Sequence, residues 1–280
     1  MLPDLLDEVT EARPHPRQEA AAGVRHHSRF RKRFGRAARG VAGIVALAVI
    51  WEVAPRTAVV DPHFVPPLSE VLDAWWGLVQ SGELWTHLRA SLVRSGVGFG
   101  LAVLLAIPLG AAVAWYSLLR DVATPVLEIF RNTAALALLP VFVLILGIGE
   151  TSKIAIVLFA CFFPILLNTI SGVASVDPQL LRTARVLGLS PVATFRKVVF
   201  PAAVPTIFTG IRISGAAAIL VLIAAEMIGA TAGLGFLINY SQMNFLIPQM
   251  YAGIITTSAL GLGVNYALVA LERRFSRWRA

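Results

Sequence analysis

The residues able to do chemistry are few, and their positions narrow what that chemistry can be. The five histidines, His15, His26, His27, His63 and His87, all lie outside the strongly apolar runs. A membrane-embedded enzyme needs a convergent set such as paired histidines and carboxylates, and this distribution does not offer one. Cys161 is the single cysteine. A lone thiol builds neither an internal disulfide nor a cysteine metal site, so it reads as a small buried apolar residue. No Gly-x-x-x-x-Gly-Lys-Ser/Thr phosphate loop occurs, which excludes ATP hydrolysis by that chemistry. No catalytic residue and no metal ligand is assigned. What remains is a handful of ionisable groups inside or beside apolar runs, where a charge is expensive.

Glu226 stands near the end of one such run. It reads first as an interfacial carboxylate within reach of water, and second as a group that orients a neighbouring helix or lines a gate. Arg212, Arg89 and Arg94 lie close to run ends, where snorkelling to headgroups is cheap. Arg131 and Asn132 either line a pathway or bond to a neighbouring helix. None of these arginines is placed at mid-membrane by the sequence alone.

The elements that must position these groups follow from composition. Of the 280 residues 57% are hydrophobic and 14% charged, with mean hydropathy +0.74. A soluble domain carries about 25% charged residues, so the chain reads as an all-α integral membrane protein. Crossing a hydrocarbon core of about 30 Å takes about 20 apolar residues. Six candidate spans are found, at Gly40–Ala54, Val97–Tyr116, Thr133–Gly149, Ile154–Ile170, Ile213–Ala232 and Ile254–Leu271. Leu88–Gly96 and Leu127–Asn132 are expected to extend two of them. Gly210, Ser214, Gly215, Gly253, Gly261 and Gly263 supply small residues for close helix approach, some of them at a dimer contact.

The net charge of +8 does not point to nucleic acid, because the cations flank spans. Arg29, Arg31, Lys32, Arg33, Arg36 and Arg39 precede the first span, and Arg273, Arg274, Arg277 and Arg279 follow the last. Such clusters are attracted to anionic lipid. Lys and Arg concentrate in cytoplasmic loops, which places both termini and the 174–201 loop inside. Residues 1–36 are expected to form a basic cytoplasmic tail whose composition favours disorder. The tail is too long and too mixed in charge for a signal-peptide n-region, so the first span is read as uncleaved. Residues 37–280 form the membrane domain. On the outer side, Ser69 is expected to cap an amphipathic helix bearing Val71, Leu72, Trp75, Trp76 and Val79. That helix either lies on the lipid surface or packs as an ordinary loop helix.

One loop is not loop-like. Asp177–Pro178 carries the signature of an N-cap followed by a first helical residue. A helix over Gln179–Leu187 should end at Gly188, where a positive φ is needed. Ser190–Pro191 repeats the start signal, a second short helix runs to about Val199, and Pro201 opens the next span. Leu180, Leu181, Ala184 and Leu187 can form one apolar stripe beside arginines. The segment either contacts a partner or packs on its own bundle.

Leu181-Arg-Thr-Ala-Arg-Val-Leu-Gly188, continuing through Ser190 and Pro191 to Pro201, resembles the "EAA" coupling loop of binding-protein-dependent ABC importer permeases. Arg182, Thr183 and Ala184 occupy the Glu-Ala-Ala positions, with Arg185 and Leu187 between them and Gly188. Gly188 and Pro201 match the pattern. Arg182 replaces its Glu, which puts in doubt any salt bridge that Glu makes to the ATPase. Further similarity runs through Pro66-Pro-Leu-Ser-Glu-Val-Leu, Ser81-Gly-Glu-Leu-Trp-Thr-His-Leu, Arg131-Asn132, Leu138-Leu-Pro140, Gly147-Ile-Gly-Glu-Thr-Ser-Lys153, Ala225-Glu226-Met-Ile-Gly and Gly233-Leu-Gly-Phe236. These segments are closest to the sulfonate, taurine, nitrate and bicarbonate group, and within it to the aliphatic sulfonate permeases.

The resemblance implies a type I permease fold in the bacterial inner membrane and a second copy of the chain. It also implies an external solute-binding protein and a cytoplasmic ATPase dimer, which would hold ATP and Mg while this chain binds no cofactor. Its substrate would be a small anion. Taurine, nitrate, bicarbonate and vitamin precursors stand as alternatives to sulfonates. An ion-gradient transporter is the rival from another class, but it often shows an internal repeat and none is evident here.

Overall fold

The computed structural model describes residues 39, 41–57, 59–131 and 133–275. The basic tail and Asn132 lie outside the described residues. The chain divides into two units, one up to Leu68 and one from Ser69 onward. In the first, residues 41–56 form a helix, α1, with mostly exposed side chains. At 1.5 Å per residue this described stretch is about 24 Å long. From within it, the Trp51 indole donates to the carbonyl of Pro66 at 3.1 Å.

The second unit is a bundle of helices. They are α2 (Leu68–Gln80), α3 (Glu83–Trp115), α4 (Ser117–Arg131), α5 (Leu139–Leu146), α6 (Glu150–Ala174), α7 (Pro178–Val186), α8 (Pro191–Thr194), α9 (Phe200–Glu226), α10 (Leu234–Met243) and α11 (Ile247–Phe275). Among the described residues, four unbroken helical stretches are long and apolar enough to cross a membrane: α3, α6, Pro191–Glu226 and Ile247–Arg274. They correspond to the expected second, fourth, fifth and sixth spans, the fifth starting well before Ile213 and ending at Glu226 rather than Ala232.

The third expected span departs from the sequence reading. Thr133–Gly149 is not one straight helix continued backward by Leu127–Asn132. Instead α4 meets the stretch Ala135–Leu146 at a bend of 88°. That stretch opens with a 3₁₀ turn at Ala135–Leu138 and becomes α-helical only at Leu139, with Pro140 in its first turn. Pro lacks the N–H an interior position would need, so the helix starts at it rather than running through. Gly147, at φ 80°, ends α5.

α6 is the central element, packed along both α3 and α9. Ala102 and Ala106 from α3, Val157, Cys161 and Ile165 from α6, and Ala203 and Leu222 from α9 form the core between them. Small residues let these axes approach. A Cβ on Gly98 would lie 2.8 Å from Val157, and one on Gly110 would lie 2.9 Å from the Leu166 carbonyl. Ser214 Oγ donates to the Cys161 carbonyl at 3.1 Å, tying α9 to α6. Gly210 faces Asn168 of α6, and Gly215 faces Leu268 of α11. These residues expected to allow close approach thus serve contacts within the chain.

The amphipathic helix α2 begins at Leu68, so Ser69 sits inside its first turn. Val71 and Leu78 are buried, and the Trp75 indole donates to Thr256 Oγ1 of α11 at 3.1 Å. Leu72, Trp76 and Val79 point outward. The helix therefore packs on one apolar face and leaves a second one exposed.

Candidate functional site

The segment between α6 and α9 folds as its residue types dictate. Asp177 Oδ1 accepts the Gln179 N–H at 2.7 Å, and Pro178 occupies the first helical position. α7 then ends in a Schellman motif. The Leu189 N–H reaches the Ala184 carbonyl at 3.1 Å and the Gly188 N–H reaches the Arg185 carbonyl at 3.0 Å. Gly188 adopts φ 71°, the left-handed conformation that such a stop requires. Ser190 Oγ accepts the Ala193 N–H at 3.3 Å, and Pro191 starts α8.

No break follows. A single π turn at Phe195–Val199 joins α8 to α9, with the Phe200 N–H bonded to the Phe195 carbonyl. Pro201 thus lies within a continuous 36-residue helical rod from Pro191 to Glu226. The wide turn accommodates the N–H that Pro201 cannot supply. Phe195 packs edge-on against Trp115 at the end of α3, 5.2 Å between ring centres.

The expected stripe on α7 splits between two faces. Ala184 is buried and Leu181 half-buried, so they hold the helix to the bundle. Leu180 and Leu187 face outward with Val186 and Val192. Arg182, Thr183, Arg185, Arg196 and Lys197 are exposed around them. The result is an apolar ridge ringed by cations, with no acid between Pro178 and Val199. Leu187 is 70% exposed, so folding of this chain does not account for its presence there.

At the opposite end of the rod lies a polar knot in which the sequence reading needs correction. Glu226 is not an interfacial carboxylate: it is 0% exposed. Its oxygens accept from Arg94 Nη1 at 2.7 Å, from Ser91 Oγ at 2.8 Å and from the Gly235 N–H at 3.0 Å. Nor does Arg94 snorkel. It is 3% exposed, gives two hydrogen bonds to Glu150, and donates to the Ala232 carbonyl at 2.6 Å. A guanidinium offers five donors in a fixed fork, so it can hold both carboxylates and a carbonyl at once.

The chain folds back to complete the knot. After Glu226 the residues up to Gly233 double over the carboxylate and α10 begins. The Leu234 N–H donates to Ser91 Oγ at 2.9 Å and the Gly233 N–H to His87 Nδ1 at 3.1 Å. His87 therefore carries its proton on Nε2, toward Glu83. A Cβ on Gly233 would fall 2.3 Å from the Glu226 carboxyl carbon. Lys153, 3% exposed, donates to the Gly149 carbonyl at 3.0 Å and neighbours that of Gly229 at 3.4 Å. Buried Glu226 thus compensates buried Arg94, with the more exposed Glu150 bonded to the same guanidinium from the rim.

His87, Ser91, Glu150 and Lys153 were not singled out by sequence reasoning. A signal existed. Glu83, His87, Ser91 and Arg94 recur at spacings of four, four and three residues, which places them on one face of a helix.

The other charged candidates are simpler. Arg89 is exposed, and Arg212 is half-exposed with Nη1 3.7 Å from Glu272. Arg131 is exposed and lines an open-sided cavity of about 610 Å³ beside the bend between α4 and α5.

Among the described residues the membrane part is four unbroken apolar helices and one sharply bent helix pair, with an exposed pair of short helices at one end of a rod. The family is shown by sequence. The chain belongs to the binding-protein-dependent transport system inner membrane components, whose family model matches residues 102–277. It is a multi-pass permease of the ABC importer type.

Among its relatives, the taurine transport system permease protein TauC of Escherichia coli is 34% identical over 240 residues, covering 84% of this chain and 87% of TauC. SsuC of Bacillus subtilis, named for aliphatic sulfonate transport, is 33% identical over 249 residues, covering 89% and 90%. The fold is similar to that of the MetNI methionine ABC transporter in an inward-facing conformation. The TM-score is 0.58 at 20% identity, covering 71% of this chain and 96% of that one.

Proposed function

We propose that this permease carries a small organic anion, an alkanesulfonate or aminosulfonate, inward through the inner membrane on energy supplied by a separate ATPase. The observation that carries the reading is the segment from Asp177 to Pro201. It is capped at both helix starts, stopped by a positive-φ glycine, and exposes Leu187 and Val186 among arginines. An apolar ridge ringed by cations fits a groove on a soluble partner, and that partner is the ATPase. Its ATP and Mg belong to that subunit.

The rod supplies the mechanics. Thirty-six residues from Pro191 to Glu226 span about 54 Å, so a push on α8 is delivered to the Glu226 knot. Rigid-body rocking of this kind turns a cavity from one side of the membrane to the other. Arginines around 182–197 and 273–274 put the coupling segment and the C-terminus inside, by the positive-inside bias. The knot then faces outward, where a solute-binding protein docks. One chain supplies one set of spans, so a second copy completes the pathway. The sulfonate class rests on the similarity to TauC and SsuC.

Two experiments test the parts separately. Gly188→Pro should abolish uptake while the protein still inserts; normal uptake would remove the coupling role. A deletion strain should lose growth on alkanesulfonates and keep it on sulfate. If growth is unchanged, and no second importer is present, the substrate class is wrong and the permease role still stands.

A further inference from the structure

We propose that the cavity beside the α4–α5 bend is a binding subsite for the transported solute. Its occupant is a small anion carrying a short alkyl or aryl body, with Arg131 at its charged end. This deepens the substrate reading above and rests on it. Irregular backbone at membrane depth persists only where it is buried in protein or lines a water-filled cavity. Here the bend of 88° adjoins a cavity of about 610 Å³, within the usual ligand-pocket range of about 300–1,000 Å³.

Arg131 differs from Arg94 in the same bundle. Arg94 is buried and gripped by two carboxylates, whereas Arg131 is exposed to the cavity and enters none of the ion pairs found among the described residues. Its guanidinium is open to an oxyanion, for which its planar fork is suited. The wall beside it is aromatic. Phe130 and Phe163 stack at 5.2 Å with planes 15° apart, and Phe159 meets Phe163 edge-on at 5.1 Å. A bare inorganic anion would leave these rings facing water. An anion with a hydrocarbon body covers them and gains apolar burial.

Acceptors complete the site. Asn168 Nδ2 is engaged with the Pro164 carbonyl at 2.8 Å, which leaves its Oδ1 for a ligand. Pro164 has no N–H, so the Ala160 carbonyl lacks its helical donor, and Ala160 also lines the cavity. An ammonium or hydroxyl at the far end of the solute would find both.

The test is uptake of radiolabelled butanesulfonate and methanesulfonate by proteoliposomes holding the complete importer, with its ATPase and binding protein. Phe163→Ala should lower the butanesulfonate-to-methanesulfonate rate ratio about fivefold relative to wild type. That ratio is internal to each preparation, so it does not depend on how much protein folds. Arg131→Gln should lower both rates roughly tenfold, and Arg131→Lys should restore most of the loss. If wild type moves both solutes and the Phe163→Ala ratio and Arg131→Gln rates stay within about twofold of it, the subsite is overturned. If wild type moves nitrate but neither sulfonate, the substrate reading falls and the subsite with it.

Discussion

Arg94 Nη1 and Glu226 Oε1 lie 2.7 Å apart, although 132 residues separate them in sequence. One sits on α3, the other at the last turn of α9, and both are buried. Removing one partner of a buried ion pair strands the other, at a cost of about 3–5 kcal/mol. Glu226→Leu and Arg94→Met should each lower the thermal midpoint of the detergent-solubilised protein sharply. The double variant should lose much less than the sum. Additive losses in this double-mutant cycle would mean that the two groups are not coupled.

The glycines over the knot should be intolerant of side chains. Gly233→Ala would drive a Cβ to 2.3 Å from the Glu226 carboxyl carbon, at φ 126°. Gly261 and Gly263 have open space around them. Alanine scanning read out by the yield of monodisperse protein should show a severe loss at Gly233 and almost none at Gly261 or Gly263. Equal behaviour at the three sites would contradict the packing described.

Docking and folding should separate at Leu187. Its side chain is 70% exposed, so Leu187→Asp removes an outward apolar contact without opening the core. Stability should change by less than about 0.5 kcal/mol. Co-purification of the ATPase and solute uptake should both drop at least about tenfold, since a charge on the ridge must be desolvated in the partner's groove. A variant that still retains the ATPase would place the docking face elsewhere.

Cys161 offers a check on orientation. It is 0% exposed, and its thiol faces the Ser214 carbonyl at 3.4 Å. It should resist a maleimide in the folded protein, so single introduced cysteines report alone. Val192→Cys should be labelled only from the cytoplasmic side, and Ser81→Cys only from the outside. The reverse pattern would invert the topology.

Much of this was legible in the sequence because the signals were local. Asp177–Pro178, Gly188 and Ser190–Pro191 each fix a helix end through their own backbone chemistry, and the helix–glycine–helix segment formed accordingly. The apolar runs located the spans, though not their true lengths, since α3 carries buried polar residues that hydropathy counts against it. The knot was misread because burial of Arg94 and Glu226 depends on partners from α3, α6 and the 227–235 turn, which no single stretch reveals. A charge near the end of an apolar run looks the same whether water or another charge neutralises it. The break at Arg131 was missed for a related reason. Thr133–Gly149 is apolar throughout, and only the proline at 140 hinted that helix would not run across it.

The π turn at Phe195–Val199 sets the angular phase of everything beyond it. One wide turn amounts to a one-residue insertion in an α-helix, and each residue advances an α-helix by about 100°. α8 and the ridge ahead of it therefore point where they do, relative to α9, because of that extra residue. Deleting exposed Lys197 would return the rod to regular winding and swing the docking ridge by about a quarter of a revolution. The permease would then keep its capped helices and apolar ridge and present them in the wrong direction.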